Sequence, residues 1–267
     1  MKIGIIGLGY VGTAMYDFFK DHYDVVFYDP GKKGSCSKEY INTCNLGVVC
    51  VPTPMAGDGS CDLSIVEDTI NWLDTPLILL KSTVEVGTTQ RLKAKTGKSI
   101  VFSPEYCGES TYWSPYAFDT DVKETPFFIF GGDPVDTSKM VDYFMPVVGP
   151  TKKYVKTNAT SAEFAKYMEN SFYATKITFC YEMKNICDAI GMDYNEAREL
   201  FLLDPRVNPM HTAVFHQNKL PFSGKCLPKD INALTCAAEK EGYSAELLKE
   251  VWKSNLRIGE MRGMKNE

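Results

Sequence analysis

Cys226 stands in a local sequence that can make a thiol reactive. Residues 222–230 spell Phe-Ser-Gly-Lys-Cys-Leu-Pro-Lys-Asp, and Pro228 suits the first turn of a helix that begins just after the cysteine. A helix N-terminus and the adjacent Lys229 both favour the thiolate, which is the nucleophilic form, and Asp230 can share the same helix face. The segment predicts a nucleophile or, equally, a small buried side chain.

A second group of polar side chains recurs at helical spacing. Glu163, Lys166 and Asn170 are three and four positions apart within one long helical stretch, so they project from one face of the helix. Such a face is typical of a polar site or of a helix surface exposed to water. The spacing alone leaves both interpretations open.

The sequence Gly-Leu-Gly-Tyr-Val-Gly at residues 7–12 follows a predicted strand and opens a predicted helix, as a dinucleotide-binding loop does. Gly7 allows the tight turn, Gly9 lets a pyrophosphate approach the backbone, and Gly12 lets the helix pack on the sheet. Asp29 ends the next strand, where a carboxylate can accept hydrogen bonds from the adenosine ribose. This pattern favours NAD over NADP, and the alternative role for Asp29 is an ordinary turn.

Three polar segments follow other predicted strands. They are Val-Pro-Thr-Pro at 51–54, Lys-Ser-Thr at 81–83, and the pair Glu105 and Glu109. The carboxyl ends of parallel strands meet at the edge of the sheet where ligands bind. We therefore expect these residues near the cofactor, with helix capping and contact with water as the alternative.

Short β-branched runs alternate with helical stretches over the first half of the chain, which predicts an α/β fold with a parallel, Rossmann-type sheet. The runs are apolar almost throughout, as expected where helices cover both faces of the sheet. The predicted strands cover residues 3–6, 24–28, 46–51, 77–80 and 99–102, and later strands are predicted at 127–130 and 153–155.

The pattern changes at residues 156–161, where polar residues suited to an N-cap lead into a helix predicted to run to about Ile190. We place a domain boundary there. The prediction is an NAD-binding Rossmann-type domain at 1–157 and an all-α domain at 158–267 that carries the cysteine and a dimer contact. Further helices are predicted at about 195–203, 228–238 and 245–257.

Composition excludes several classes of protein. The 267 residues are 44% hydrophobic, and 29 Lys and Arg against 34 Asp and Glu give a net charge of -5, which argues against nucleic-acid binding. No apolar run reaches the roughly 18 residues of a membrane span, so we expect a cytoplasmic protein without a membrane partner. Nine cysteines at irregular spacings, without a Cys-x-x-Cys pair, predict neither a disulfide framework nor a metal site.

Together these motifs resemble the UDP-glucose/GDP-mannose 6-dehydrogenase family. The resemblance rests on seven motifs in order, at residues 7–12, 51–54, 81–84, 103–109, 163–170, 204–206 and 226–230. It implies NAD-dependent oxidation of a nucleotide sugar at C6, most simply UDP-glucose to UDP-glucuronate, through a thiohemiacetal and a thioester on Cys226. The alternatives are GDP-mannose as substrate, a catalytically inactive NAD-binding regulatory protein, and one-step oxidation of a small hydroxy acid.

The resemblance also implies roles for individual residues. Lys166 and Asn170 would hold the oxyanion, Asp230 and Thr83 would position water, Glu109 would act as acid or base, and Glu105 would support the site. The implied NAD contacts are Gly7, Gly9, Tyr10, Val11, Gly12, Asp29, Val51, Pro52, Thr53, Thr83 and Lys229. The implied substrate contacts are Tyr106, Glu109, Lys166, Asn170, Arg206, His211, Phe222, Ser223 and Gly224, although His211, like Thr212 and His216, suits packing or capping equally well.

The chain is shorter than is usual in this family, which typically carries a third, C-terminal domain that helps to bind the nucleotide. We expect a short form lacking that domain, with loose recognition of the base. We also expect a homodimer built on the long helix, because its large apolar side chains exceed what one small domain can bury. The side chains that carry this expectation are Phe164, Tyr167, Met168, Phe172, Ile177 and Phe179.

Overall fold

The fold is described by a computed structural model that covers residues 1–106, 121–214 and 220–261. The chain forms two compact units. Of the described residues, the first unit contains Met1–Pro54, 61–106 and 121–166. The second contains Met55–Ser60, 167–214 and 220–261. The expectation that one domain ends at residue 157 and the next begins at residue 158 stays a prediction.

A sheet in the order β2-β1-β3-β4-β5-β6-β7 lies at the centre of the first unit. The first five strands pair in parallel and coincide with the predicted runs, so the Rossmann-type α/β prediction is confirmed. The two later strands are predicted without a direction, and β6 runs antiparallel to β5. Apolar strand patterns look the same in either direction, so the sequence could not give this reversal. The strands are β1 Lys2–Ile6, β2 Asp24–Tyr28, β3 Leu46–Val49, β4 Ile78–Leu80, β5 Ile100–Phe102, β6 Phe127–Gly131 and β7 Lys153–Thr157.

Helices cover both faces of this sheet. Alternate strand residues point to opposite sides of the sheet, and each side has its own apolar cluster. Ile3 and Ile5 belong to one cluster, together with Phe18 and Phe144, whereas Ile6 belongs to the second. Two buried faces explain why the strands are apolar throughout. The helices of this unit are α1 Tyr10–Phe19, α2 Lys38–Ile41, α3 Ser64–Trp72, α4 Thr88–Thr96 and α5 Pro134–Val148, with a 3-10 turn at Val122–Glu124.

The predicted long helix is confirmed as α6, Ala159–Ile190, which begins in the first unit and continues into the second. It is followed by α7 Tyr194–Phe201, α8 Leu227–Lys240 and α9 Glu246–Met261. A core that includes Ala174, Tyr181, Ile231 and Ile258 holds the second unit together. Among the described residues, no helix combines the length and apolar character needed to cross a membrane.

Candidate active site

The glycine loop has the geometry of a phosphate cradle. Gly7 adopts φ 84°, which favours glycine, and its N–H donates to the Tyr28 carbonyl at 2.9 Å. A Cβ on Gly12 would lie 1.9 Å from the Gly7 oxygen, whereas a Cβ on Gly9 would meet no atom within 4 Å. Gly9 is also the N-cap of α1 and provides no side-chain cap. The open backbone at a helix N-terminus fits the pyrophosphate of NAD.

Asp29 is anchored beside this loop. Its Oδ2 accepts from the Leu8 N–H at 2.8 Å and its Oδ1 from the Gly31 N–H at 3.0 Å. The second bond is the turn that the sequence allowed as an alternative, and the first ties the carboxylate to the glycine loop. Because a carboxylate has about four acceptor positions, Asp29 keeps capacity for the ribose hydroxyls.

Hydrogen bonds join the carboxyl ends of β3, β4 and β5. The Thr53 hydroxyl donates to the Thr83 carbonyl at 2.9 Å, and the Ser82 hydroxyl donates to the Val51 carbonyl at 2.7 Å. The buried Lys81 ammonium donates to the Pro104 carbonyl at 2.8 Å, just before Glu105. The Val51 side chain is buried in the core, so only its backbone is available for the predicted NAD contact.

Lys166 lies near the segment that follows β5. Its side chain is buried, and its Nζ lies 5.2 Å from the centroid of the Tyr106 ring. That ring in turn packs edge-to-face on Phe127, with centroids 5.0 Å apart. Tyr106, a predicted substrate contact, is therefore held close to Lys166, and it immediately follows Glu105 in the chain. Glu109 lies outside the described residues.

Glu163, Lys166 and Asn170 are all buried, with 0%, 8% and 5% of their surface exposed. This excludes a helix face exposed to water. Glu163 accepts from the backbone N–H groups of Gly87 and Thr89. Burial raises the pKa of Glu163, and these hydrogen bonds oppose the rise. The spacing places Glu163 on this helix face without indicating a role for it, because its partners Gly87 and Thr89 lie more than seventy residues away in the chain.

In the second unit, Cys226 is exposed and forms the N-cap of α8, with a proline in the first turn as predicted. The helix dipole there favours the thiolate. Asp230 is buried, and its carboxylate accepts from the Asn170 amide at 2.6 Å and from the Lys229 ammonium at 2.5 Å. Asn170, Lys229 and Asp230 therefore form one hydrogen-bonded cluster at the first turn of the helix that Cys226 caps. This arrangement pairs a solvent-accessible sulfur with a fixed carboxylate.

Asn255 of α9 holds the segment before Cys226 through two hydrogen bonds. The backbone N–H of Phe222 donates to the Asn255 amide oxygen at 2.9 Å, and its carbonyl accepts from the Asn255 amide nitrogen at 3.1 Å. The Phe222 ring is buried, so this residue packs rather than presenting a group to a ligand. Ser223 and Gly224 are exposed, which leaves them available to a substrate.

His211 lies against the ring of Tyr173, with ring centroids 4.6 Å apart. Burial, with a further contribution from the Lys176 ammonium, lowers the pKa of His211 to about 4. A neutral imidazole offers no charge to a phosphate at neutral pH, so packing is the better-supported role. Thr212 is likewise buried and accepts from the Arg198 guanidinium at 2.9 Å. His216 lies outside the described residues.

Arg206, in contrast, lies at the surface of the second unit. Its side chain is 88% exposed, and its guanidinium forms a two-pronged pair with Asp204, with distances of 3.0 Å and 2.6 Å. A guanidinium held in this way can turn toward an anion that arrives from solution.

Comparison with known proteins gives these features a family. Residues 32–142 match the NAD binding domain of the UDP-glucose/GDP-mannose dehydrogenase family, and residues 160–257 match its central domain. The chain belongs to this family. The family expected from the sequence motifs is confirmed, and so is the prediction of NAD as its cofactor. The prediction of an NAD-dependent nucleotide-sugar 6-dehydrogenase is confirmed at the level of the family, whereas no single sugar is selected.

Individual members of the family cover more than one substrate. The chain is 28% identical to the UDP-glucose 6-dehydrogenase of Haloferax volcanii, over 93% of this chain and 68% of that one. It is 27% identical to the GDP-mannose 6-dehydrogenase of Azotobacter vinelandii, over 81% and 52%. The structure of a UDP-glucose dehydrogenase from Pyrobaculum islandicum superposes with a TM-score of 0.80 at 25% identity, covering 97% of this chain and 68% of that one. The chain thus spans about half to two thirds of the length of these relatives.

Proposed function

We propose that this chain oxidises the C6 hydroxymethyl group of a nucleotide sugar to a carboxylate, with two molecules of NAD reduced per sugar. The observation that carries the proposal is the exposed Cys226 at the N-cap of α8, beside the buried Asn170–Asp230 pair. UDP-glucose is the proposed substrate, because Ser-Pro-Glu at 103–105 resembles that branch of the family and relatives with this activity match the chain. GDP-mannose is the rival substrate.

The proposed reaction proceeds in four steps. Removal of a hydride and a proton from the C6 alcohol gives an aldehyde. The Cys226 thiolate adds to the aldehyde carbon, so a carbon–sulfur bond forms as the carbonyl π bond breaks, and protonation of the oxygen gives the thiohemiacetal. Loss of a second hydride and of the hydroxyl proton converts the thiohemiacetal into a thioester. Water then cleaves the carbon–sulfur bond, which yields the carboxylate and returns the thiol. Bound NAD supplies the hydride-accepting capacity in both oxidations.

The other residues that the family resemblance implies would carry out the remaining chemistry. Lys166 and Asn170, one helical turn apart on α6, would donate hydrogen bonds to the oxygen that gains negative charge when sulfur adds. Asp230 and Thr83 would hold the attacking water, with Glu109 transferring protons and Glu105 supporting the site. A protein that merely binds NAD has no use for a buried Lys166 and a buried Asn170–Asp230 pair, which argues against an inactive regulatory protein.

A substrate panel tests the proposal. The purified protein is incubated with NAD and, in turn, UDP-glucose, GDP-mannose, other nucleotide sugars and a small hydroxy acid, while NADH formation and acid product are followed. We expect formation of the acid product from a nucleotide sugar, which Cys226→Ala abolishes and Cys236→Ala, a change on the same helix, leaves intact. Turnover of only the small hydroxy acid, or a fully active Cys226→Ala variant, would refute the assignment.

We further propose that the protein forms a dimer along α6. Phe164, Met168, Phe172 and Phe179 are 46–63% exposed and lie at helical spacing. Two of the predicted contact residues are wrong: Tyr167 and Ile177 are buried inside the chain, because the opposite face of α6 packs on the protein core. Sedimentation should give twice the chain mass, and Phe172→Glu should give the monomer. An active wild-type monomer would contradict the dimer.

A further inference from the structure

Helix α4 lacks an N-cap side chain of its own. Its N-cap residue is Gly87, which adopts φ 90° and has no side chain to accept from the first helical N–H groups. The acceptor is supplied from α6 instead. The Glu163 carboxylate accepts from the Gly87 N–H at 2.6 Å and from the Thr89 N–H at 2.8 Å, across 76 and 74 residues of sequence.

The cap joins the two segments that carry the proposed catalytic groups Thr83 and Lys166. Thr83 precedes Gly87 by four residues on the segment that enters α4, and Lys166 follows Glu163 by one turn of α6. Val84 and Ala162, the neighbours of Thr83 and Glu163, belong to the same buried cluster. The two segments that carry Thr83 and Lys166 are therefore joined through one side chain that has no exposed surface.

Close packing fixes the α6 side of this connection. A Cβ on Gly131 would lie 2.6 Å from the Ala162 Cβ and 2.9 Å from the Ala159 Cα, so the first turns of α6 already touch the end of β6. The start of α6 has no room to approach the sheet further. Because the Glu163 carboxylate attaches the start of α4 to α6, we expect loosening of its contacts to release the segment between Thr83 and Gly87.

We propose that Glu163 is a positioning residue for the oxidation, which sets the distance between Thr83 and Lys166 by capping α4 from α6. The inference rests on the proposed function of those two residues. Glu163 has no exposed surface, so it acts through the segments that it holds. Displacement of a catalytic group by about 1 Å can cost on the order of a hundredfold in rate, so a cap with this geometry governs turnover more than ligand binding.

Glu163→Gln is the informative change, because it keeps the shape of the side chain and replaces one acceptor oxygen by an NH2 donor that faces a backbone N–H. Asp136→Asn is the matched control. Asp136 is also a buried carboxylate of the first unit, in the first turn of α5, where it pairs with Lys139 at 3.3 Å. A loss of stability without repositioning affects both variants alike.

Two measurements are made on the full chain. Steady-state kinetics with NAD and UDP-glucose, normalised to the fraction of protein that binds NADH, should show kcat lowered about tenfold or more in Glu163→Gln, with KM for the sugar and Kd for NADH within about twofold of wild type. Asp136→Asn should retain the wild-type kcat. Amide hydrogen exchange should be faster at Gly87 and Thr89 in Glu163→Gln only.

The outcomes separate this inference from the proposed function. An unchanged kcat in Glu163→Gln, or equal losses of kcat and NADH affinity in both variants, overturns the positioning role. Unchanged exchange at Gly87 and Thr89 overturns the cap even if the enzyme is active. A wild-type protein that oxidises no nucleotide sugar refutes the proposed function and, with it, the catalytic consequence, whereas faster exchange in Glu163→Gln would still demonstrate the cap.

Discussion

Replacing Asn170 by alanine should separate a catalytic amide from a merely buried one. The Asn170 amide donates to the Asp230 carboxylate at 2.6 Å, and only 5% and 1% of the two residues are exposed. A hydrogen bond to a charged group contributes about 1.5–3 kcal/mol. The higher helix propensity of alanine offsets this loss of stability by about 0.5 kcal/mol. We therefore expect Asn170→Ala to lower the free energy of unfolding by about 1–2.5 kcal/mol.

Asn232→Ala is the control for this change. Asn232 is also on a helix and only partly exposed, but its amide donates to the neutral Pro228 carbonyl at 2.7 Å, so the same substitution should cost less than about 1 kcal/mol. Urea unfolding gives both values, provided that the dependence of the transition on urea concentration is unchanged. The two variants should differ more in kcat than in stability. We expect kcat to fall about a hundredfold or more in Asn170→Ala and to stay at the wild-type value in Asn232→Ala. Equal effects in the two variants would refute the special role of the Asn170–Asp230 pair.

Two further predictions concern the cofactor and pH. Wild type should show a higher kcat/KM with NAD than with NADP, and Asp29→Ser should narrow that difference; equal or better use of NADP by wild type would overturn the role of Asp29. For His211, the folded pKa of about 4 lies below the unfolded value of about 6.5, so the folded state binds fewer protons between these values and stability falls as pH drops from 6.5 toward 4. The fall should be about 1–2 kcal/mol after allowance for partial exposure, and His211→Gln should flatten it in urea titrations at several pH values.

Local rules explain why the cofactor loop and the α8 terminus were predictable. The turn at Gly7, the close approach at Gly12 and the proline that opens the helix after Cys226 each depend on residues within a few positions of one another. Backbone sterics and helix capping then fix the local geometry, whatever the rest of the chain does.

The features that sequence could not give depend on distant partners. Glu163 acts on α4 across more than seventy residues, and nothing near it in sequence indicates that contact. The antiparallel direction of β6 leaves no mark on its apolar pattern. Likewise, Tyr167 and Phe164 are both large and aromatic, and only the packing of α6 decides that the first is buried and the second exposed.

Counting products per sugar tests the central claim most directly. The purified protein is given excess NAD and a limiting amount of UDP-glucose, and NADH and uronic acid are measured at completion. A covalent route through Cys226 predicts two NADH and one carboxylate for each sugar consumed, and Cys226→Ala should release no carboxylate. A ratio near one NADH per sugar with aldehyde as the product, or undiminished carboxylate from Cys226→Ala, would contradict the account.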